Sequence, residues 1–181
     1  NGTKLQGISR AALRSALETM TFACACALSN DANGWQAWLG GEPIRFGNTC
    51  VRIGQAPALL QLENRARQSF AASLFANRVS SGATSWTRDL YGRLCRYVHA
   101  QANSSNAELW SSTGPIVSAV GFRLAYCTFL EARALCLILA KLSERNLPRA
   151  RAQYGLEPEN LAQYLDEPFR SVCGFYAAEL F

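Results

Sequence analysis

Apolar residues along this chain recur at three- and four-residue steps, the spacing of one face of an α-helix. Ile8, Ala12, Leu13, Ala16, Leu17, Met20 and Ala23 form such a stripe and predict a helix over 9–29. Arg10, Arg14 and Glu18 repeat every four residues on another face, where i,i+4 pairing is available. Asn30, Asp31, Asn33 and Gly34 end this helix. Trp35 and Trp38 fall in a short helical piece closed by Gly40, Gly41 and Pro43. Arg45 to Asn48 reads as a connector, and Thr49 to Leu62 is ambiguous because Gly54 and Pro57 interrupt its apolar pattern. A better helical pattern runs over 63–79, with Phe70, Leu74 and Phe75 as its stripe. Residues 80–85 form a loop, and Thr84 or Ser85 can cap a helix over 86–101.

Residues 102–114 are small and polar, with Trp110 embedded among them. Pro115 then suits the first position of a long helix over 115–145, which Asn146 and Pro148 stop. Phe122, Ala125, Phe129, Ala132, Cys136 and Leu139 predict its buried stripe. Glu131 and Arg133, inside that apolar run, mark either its solvent face or a buried polar pair. Two or three short helices follow Pro148. Strand alternation is nearly absent, since Val51-Arg52-Ile53 is too short to count. The predicted fold is all-α, a helical bundle of about four main helices with short accessory helices over 1–146, and 147–181 as a C-terminal helical extension packed on it.

Composition agrees with a globular domain: 181 residues, 49% hydrophobic and 17% charged. The start at Asn1 is what a trimmed piece, or one domain of a longer protein, shows. The net charge of +5 is carried by 18 basic residues, of which only Lys4 and Lys141 are lysines. Arginine forks bind phosphate and carboxylate bidentately, so the mild excess permits a nucleic-acid partner without demanding one. Seven cysteines, an odd number mostly inside apolar runs, suit buried thiols in a reducing cytoplasm. No Cys-x-x-Cys pair occurs, and the single His excludes His-rich zinc patterns. Cys95 and His99 would share a helix face, but two ligands do not make a site, so neither a metal nor a cofactor is expected. The start lacks the basic-then-apolar order of a signal peptide. The apolar segment from Ile116 to Leu142 is broken by Arg123, Glu131, Arg133 and Lys141, so it predicts a core helix and no membrane span.

Candidate chemistry centres on His99, the only histidine and the one side chain with an ordinary pKa near neutrality. Arg93 and Arg96 lie six and three residues before it on the same predicted helix. His99 would act as general base on a ribose 2′-hydroxyl or as general acid at the leaving oxygen, with Arg93 or Arg96 holding the phosphate. The structural alternative is an imidazolium that complements the dipole at a helix C-terminus. No Gly-rich phosphate loop and no nucleophile elbow is present. The four tryptophans are scattered, which suits core or interface anchors better than base-stacking platforms.

The run Leu90-Tyr91-Gly92-Arg93-Leu94-Cys95-Arg96-Tyr97-Val98-His99-Ala100 resembles a segment of HEPN-like domains, a nucleotide-binding helical superfamily of prokaryotes and eukaryotes. The layout over 8–146 is similar too, from the Arg10–Glu18 helix to the long helix begun at Gly114-Pro115. Active members of that superfamily are metal-independent ribonucleases. Their motif is an Arg, four to six residues, then a His, and two protomers bring their motifs into one cleft. The resemblance implies Arg93 and His99 as catalytic residues, Arg96 and Arg88 as substrate-binding ones, RNA or a nucleotide as ligand, and a homodimer or heteromeric protein partner. It also implies a place in a bacterial defence or toxin system. Leu94 is apolar where active members carry a polar residue, so slow or absent cleavage is expected. Arg88-Asp89 supplies the Arg-polar pair but stands ten residues from His99. An inactive protein-interaction module and a small-molecule-binding bundle are the alternatives.

Overall fold

The computed structural model describes residues 2–75, 84–98, 119–143, 162–163 and 165–180. Seven helices run through these residues: α1 (Gly2–Ser29), α2 (Ala32–Leu39), α3 (Phe46–Gly54), α4 (Pro57–Phe70), α5 (Trp86–Val98), α6 (Ala119–Ser143) and α7 (Phe169–Leu180). The fold is all-α. The one β element described is a two-residue parallel pairing of β1 (Ala72–Ser73) with β2 (Thr84–Ser85).

α1 is the central helix and packs against α2, α3, α5 and α6. Leu17, Thr21, Cys24, Ala25 and Cys26 bury its inward face. It starts seven residues earlier than its stripe predicts, and no proline interrupts that extension. By length and composition, Arg10–Ser29 is the one stretch among the described residues apolar enough to cross a membrane. That stretch therefore lies in α1, and not in the Ile116–Leu142 segment singled out from the sequence. Its apolar residues meet α3, α5 and α6, as those of a core helix do.

α2 is capped by Asp31, whose Oδ1 accepts from the Gly34 amide at 2.8 Å. Arg52 of α3 then reaches back to Asp31 and to the Ser29 hydroxyl, both at 2.9 Å. The ambiguous stretch resolves into two helices. α3 begins at Phe46, inside the predicted connector, and Gly54 ends it. A Cβ on Gly54 would press on the Phe75 backbone carbonyl and Cβ at 3.3 Å, so a close crossing selects glycine here. Pro57 opens α4 at its first turn, where its missing N–H costs nothing.

α4 corrects the predicted 63–79 helix. It stops at Phe70, and Ala71 adopts the left-handed conformation with φ 52°. Leu74 and Phe75 are buried as predicted, but they follow β1 and are not on a helix. The physical reason is Glu63, only 1% exposed. Its carboxylate accepts from the Leu74 and Phe75 amides at 3.1 Å each, which satisfies donors that a continuing helix would have used. The Tyr176 hydroxyl of α7 donates to the same carboxylate. Val172, Cys173, Tyr176 and Ala177 carry α7 into the common core.

The predicted stripe of α6 needs a larger correction. Ala132 and Leu139 are buried and Cys136 is partly so, but Phe122 is 66% and Phe129 47% exposed, and Ala125 is partly exposed. The buried face is Glu131, Ala132, Ala134, Leu135, Ile138 and Leu139. The periodicity is real along the whole helix, but only the second half meets the core.

Candidate functional site

α5 carries every sequence-predicted site residue except His99. Ser85 caps it, accepting from the Arg88 amide at 3.3 Å while its hydroxyl donates to the Leu74 carbonyl at 3.1 Å. Trp86, Thr87, Leu90 and Leu94 face inward. That register fixes the other positions. Leu94, the residue that departs from the active ribonuclease pattern, is fully buried, so a polar side chain there would have to enter the core.

Arg93 is clamped. Its Nε donates to Asp89 Oδ2 at 2.9 Å and its Nη2 to Glu131 Oε1 of α6. Glu131 is 8% exposed, and the same oxygen accepts from the Trp86 indole at 3.0 Å. Burial pulls the Arg93 guanidinium down, but the bond and charge of Glu131, followed by Asp89, outweigh it and hold the cation firmly. Of the two readings left open for Glu131, solvent face or buried polar pair, the buried one holds, with Arg93 as its partner. Arg133, flagged beside it, is exposed.

Arg88 is in the opposite state. It lines a cleft of about 330 Å³ between α3 and α5, with Phe46, Gly47, Asn48, Val51 and Tyr91. Among the described residues, no carboxylate stands on that lining. One Nη donates to the Gly47 carbonyl at 3.4 Å, a long bond, and Nε is buried with no hydrogen-bond partner among the described residues. Beneath the cleft, burial pushes the Cys50 thiol up to about 11, against the opposing pull of Arg88. That thiol is packing, and not a nucleophile.

Tyr91 forms one side of the cleft. Its ring stacks on Phe46 at 3.8 Å between centroids and 18° between planes. Its hydroxyl donates to Glu18 at 2.6 Å and accepts from Arg14 at 3.3 Å. Burial, then the bond to Glu18, raises its pKa, so the phenol stays protonated. Arg14 and Glu18 also pair at 3.3 Å, as their four-residue spacing predicts.

His99, Trp110 and residues 111–115 lie outside the described residues, as does the side chain of Arg96. Arg93 and Arg88 are therefore the two predicted site residues that the structure places. It puts them in separate surroundings, one against α6 and one against α3. No group of three metal-ligating side chains occurs among the described residues. The cleft itself was missed in the sequence. Arg45 to Asn48 read as a connector, and nothing in the pattern showed that Phe46 would pair with Tyr91, 45 positions later. Trp86 is a buried core anchor, while Trp35 and Trp38 cluster with Phe22 at the surface of α1.

Set beside protein-family models, described proteins and solved structures, the chain matches none. Fold and site together define a class only: a helical bundle with a clamped and an open arginine on one helix.

Proposed function

We propose that this chain is a HEPN-like helical domain that binds single-stranded RNA in the cytoplasm, with Arg88 and Arg96 as phosphate contacts and without cleavage through Arg93. One observation carries the reading. Asp89 and Glu131 occupy the Arg93 guanidinium, whereas Arg88 faces a cleft with no carboxylate among its described lining residues. A cation already paired with two carboxylates offers little to a phosphate, since the pairing must first be broken. The net charge of +5 favours an anionic partner.

Fluorescence anisotropy with a labelled single-stranded oligoribonucleotide tests this at low and high salt. Binding should weaken with salt and fall in Arg88→Ala. Salt-independent binding, or none, overturns it. Intact oligonucleotide after long incubation is expected, and cleavage that Arg93→Ala abolishes while Glu131→Gln, which disturbs the same junction, retains it would restore the ribonuclease reading.

A second reading, a catalytically silent protein-interaction module, draws on a different observation. Phe122, Leu124, Tyr126 and Phe129 are all exposed on the first half of α6. Apolar groups gathered in this way mark protein contacts. The RNA-binding assay separates the cases, since the silent module binds no RNA, and sedimentation showing a strict monomer at high concentration removes a homodimer from both.

A further inference from the structure

The cleft between α3 and α5 brings together what one nucleotide unit needs. Its volume of about 330 Å³ suits one ring system with its sugar. One wall is the stacked Phe46–Tyr91 pair, and Val51 adds apolar surface. Arg88 lines the cleft with the Nη end of a planar cationic fork, whose bond to the Gly47 carbonyl is exposed and long at 3.4 Å. The exposed amide of Asn48 supplies a donor and an acceptor at the rim. Gly47 borders open space at the mouth, for a Cβ there would meet nothing within 4 Å.

We propose that this cleft seats one unpaired nucleotide, with Arg88 on its phosphate and its base along the Phe46–Tyr91 wall within reach of Asn48. The proposal rests on the RNA-binding reading and names the place where that RNA is read. Unstacked bases of single strands are recognised in this manner, on aromatic surfaces with their edges open to hydrogen bonds, whereas bases inside a duplex are stacked and hidden. A free mononucleotide presents the same chemistry as a nucleotide within a strand. The carboxylate-free lining admits either.

Uridine monophosphate, inorganic phosphate and a labelled ten-residue oligouridine are the probes, at low salt, against four variants. Arg88→Ala removes the fork. Gly47→Trp fills the mouth from open space, and Asn48→Trp does so from an exposed position if the glycine variant fails to fold. Arg133→Ala removes a like charge from exposed α6. Saturation-transfer NMR should show the uracil protons of the monophosphate in contact with wild type and Arg133→Ala, but not with the other variants. Oligouridine affinity should fall about tenfold in the same variants, the scale of one lost base-stacking contact.

Equal oligouridine binding by wild type and the filled-cleft variant, both folded by circular dichroism, overturns the cleft and leaves the RNA reading standing. Monophosphate binding without oligouridine binding keeps the cleft as a free-nucleotide site and overturns the RNA reading. Displacement of the monophosphate by equimolar inorganic phosphate overturns the base-binding part. Binding of neither probe overturns both.

Discussion

The α5–α6 junction and the α3–α5 cleft start from the same residue type and end in opposite states. At the junction, Arg93 meets Asp89 and Glu131, and Trp86 completes the set of donors. At the cleft, Arg88 meets one distant carbonyl and a thiol. Both arginines stand on one helix, five residues apart. What separates them is the facing element: α6 presents a buried carboxylate, and α3 presents Gly47, Asn48 and Val51. An arginine satisfied by carboxylates holds helices together, and one left short of acceptors is available to a ligand. Motif spacing alone would have chosen Arg93 for chemistry, whereas the surroundings favour Arg88.

The comparison breaks most severely at a second closed polar knot. Glu63 takes three buried donors, from the Leu74 and Phe75 amides and from Tyr176. Glu63→Ala strands all three, so a stability loss of about 4 kcal/mol is expected at ~1–3 kcal/mol per buried orphan, with partial relaxation. Tyr176→Phe leaves both amides satisfied and should cost about 1 kcal/mol. Urea titration reads both. Equal losses from the two variants would mean that the amides do not depend on Glu63.

The two arginines give the next contrast. Arg93→Ala leaves Glu131 buried with the Trp86 indole as its one hydrogen-bond donor among the described residues, and should cost about 2–3 kcal/mol. Arg88→Ala loses one long hydrogen bond and should stay within about 0.5 kcal/mol of wild type. Thermal melts of the pair settle it. If Arg88→Ala proves the more damaging, Arg88 is the structural arginine and the cleft loses its ligand group. Arg93→Ala is for the same reason a poor fold-neutral test of cleavage, and needs Glu131→Gln beside it.

The sequence was most informative where local pattern and tertiary contact agree. The Arg14–Glu18 pair and the Ser85 cap follow from spacing and capping chemistry, which are local. The stripe predicted for α1 is met only in part, with Leu17 buried, Leu13 and Met20 partly so, and Ala12 and Ala16 exposed. It was least informative where a distant side chain decided. Glu63 ends α4 through amides eleven and twelve residues away, and no propensity for Leu74 or Phe75 contains that information. The cleft needs Phe46 against Tyr91, a contact between two helices that share no sequence signal. The stripe of α6 shows the same limit: a periodic apolar face states which residues can be buried, but the partner helix decides how far along burial extends.

Phe129 measures that limit directly. Full burial would make Phe129→Ala cost about 3–5 kcal/mol, and the residue is instead 47% exposed. A loss below about 1 kcal/mol is expected, against several for Leu135→Ala on the buried face of the same helix. A large loss at Phe129 in dilute solution would show that its face is covered after all, by a second copy or by another part of the chain. Concentration dependence of the melting temperature then tells these two apart, since only the first gives it.

The smallest expected effect is electrostatic and concerns how α2 is tied to α3. The Gly34 amide, and after it Arg52, hold the Asp31 carboxyl below the usual carboxylate range. Its folded pKa is therefore depressed relative to the unfolded chain. The sign follows: the contribution is fully present above the unfolded value of about 3.9, and is lost as pH falls through the lower folded value. The pair is exposed, so salt should screen the Arg52 part while leaving the cap to Gly34 largely intact. Asp31→Asn keeps an acceptor for the cap and removes the charge. Its stability should match wild type once acid has protonated the carboxyl in the fold, and fall slightly short of it at pH 7, with the gap narrowing in high salt. A gap that instead widens as pH falls would mean that the carboxylate is not the favoured form in the fold, and the tie from α2 to α3 would then rest on the Arg52–Ser29 bond alone.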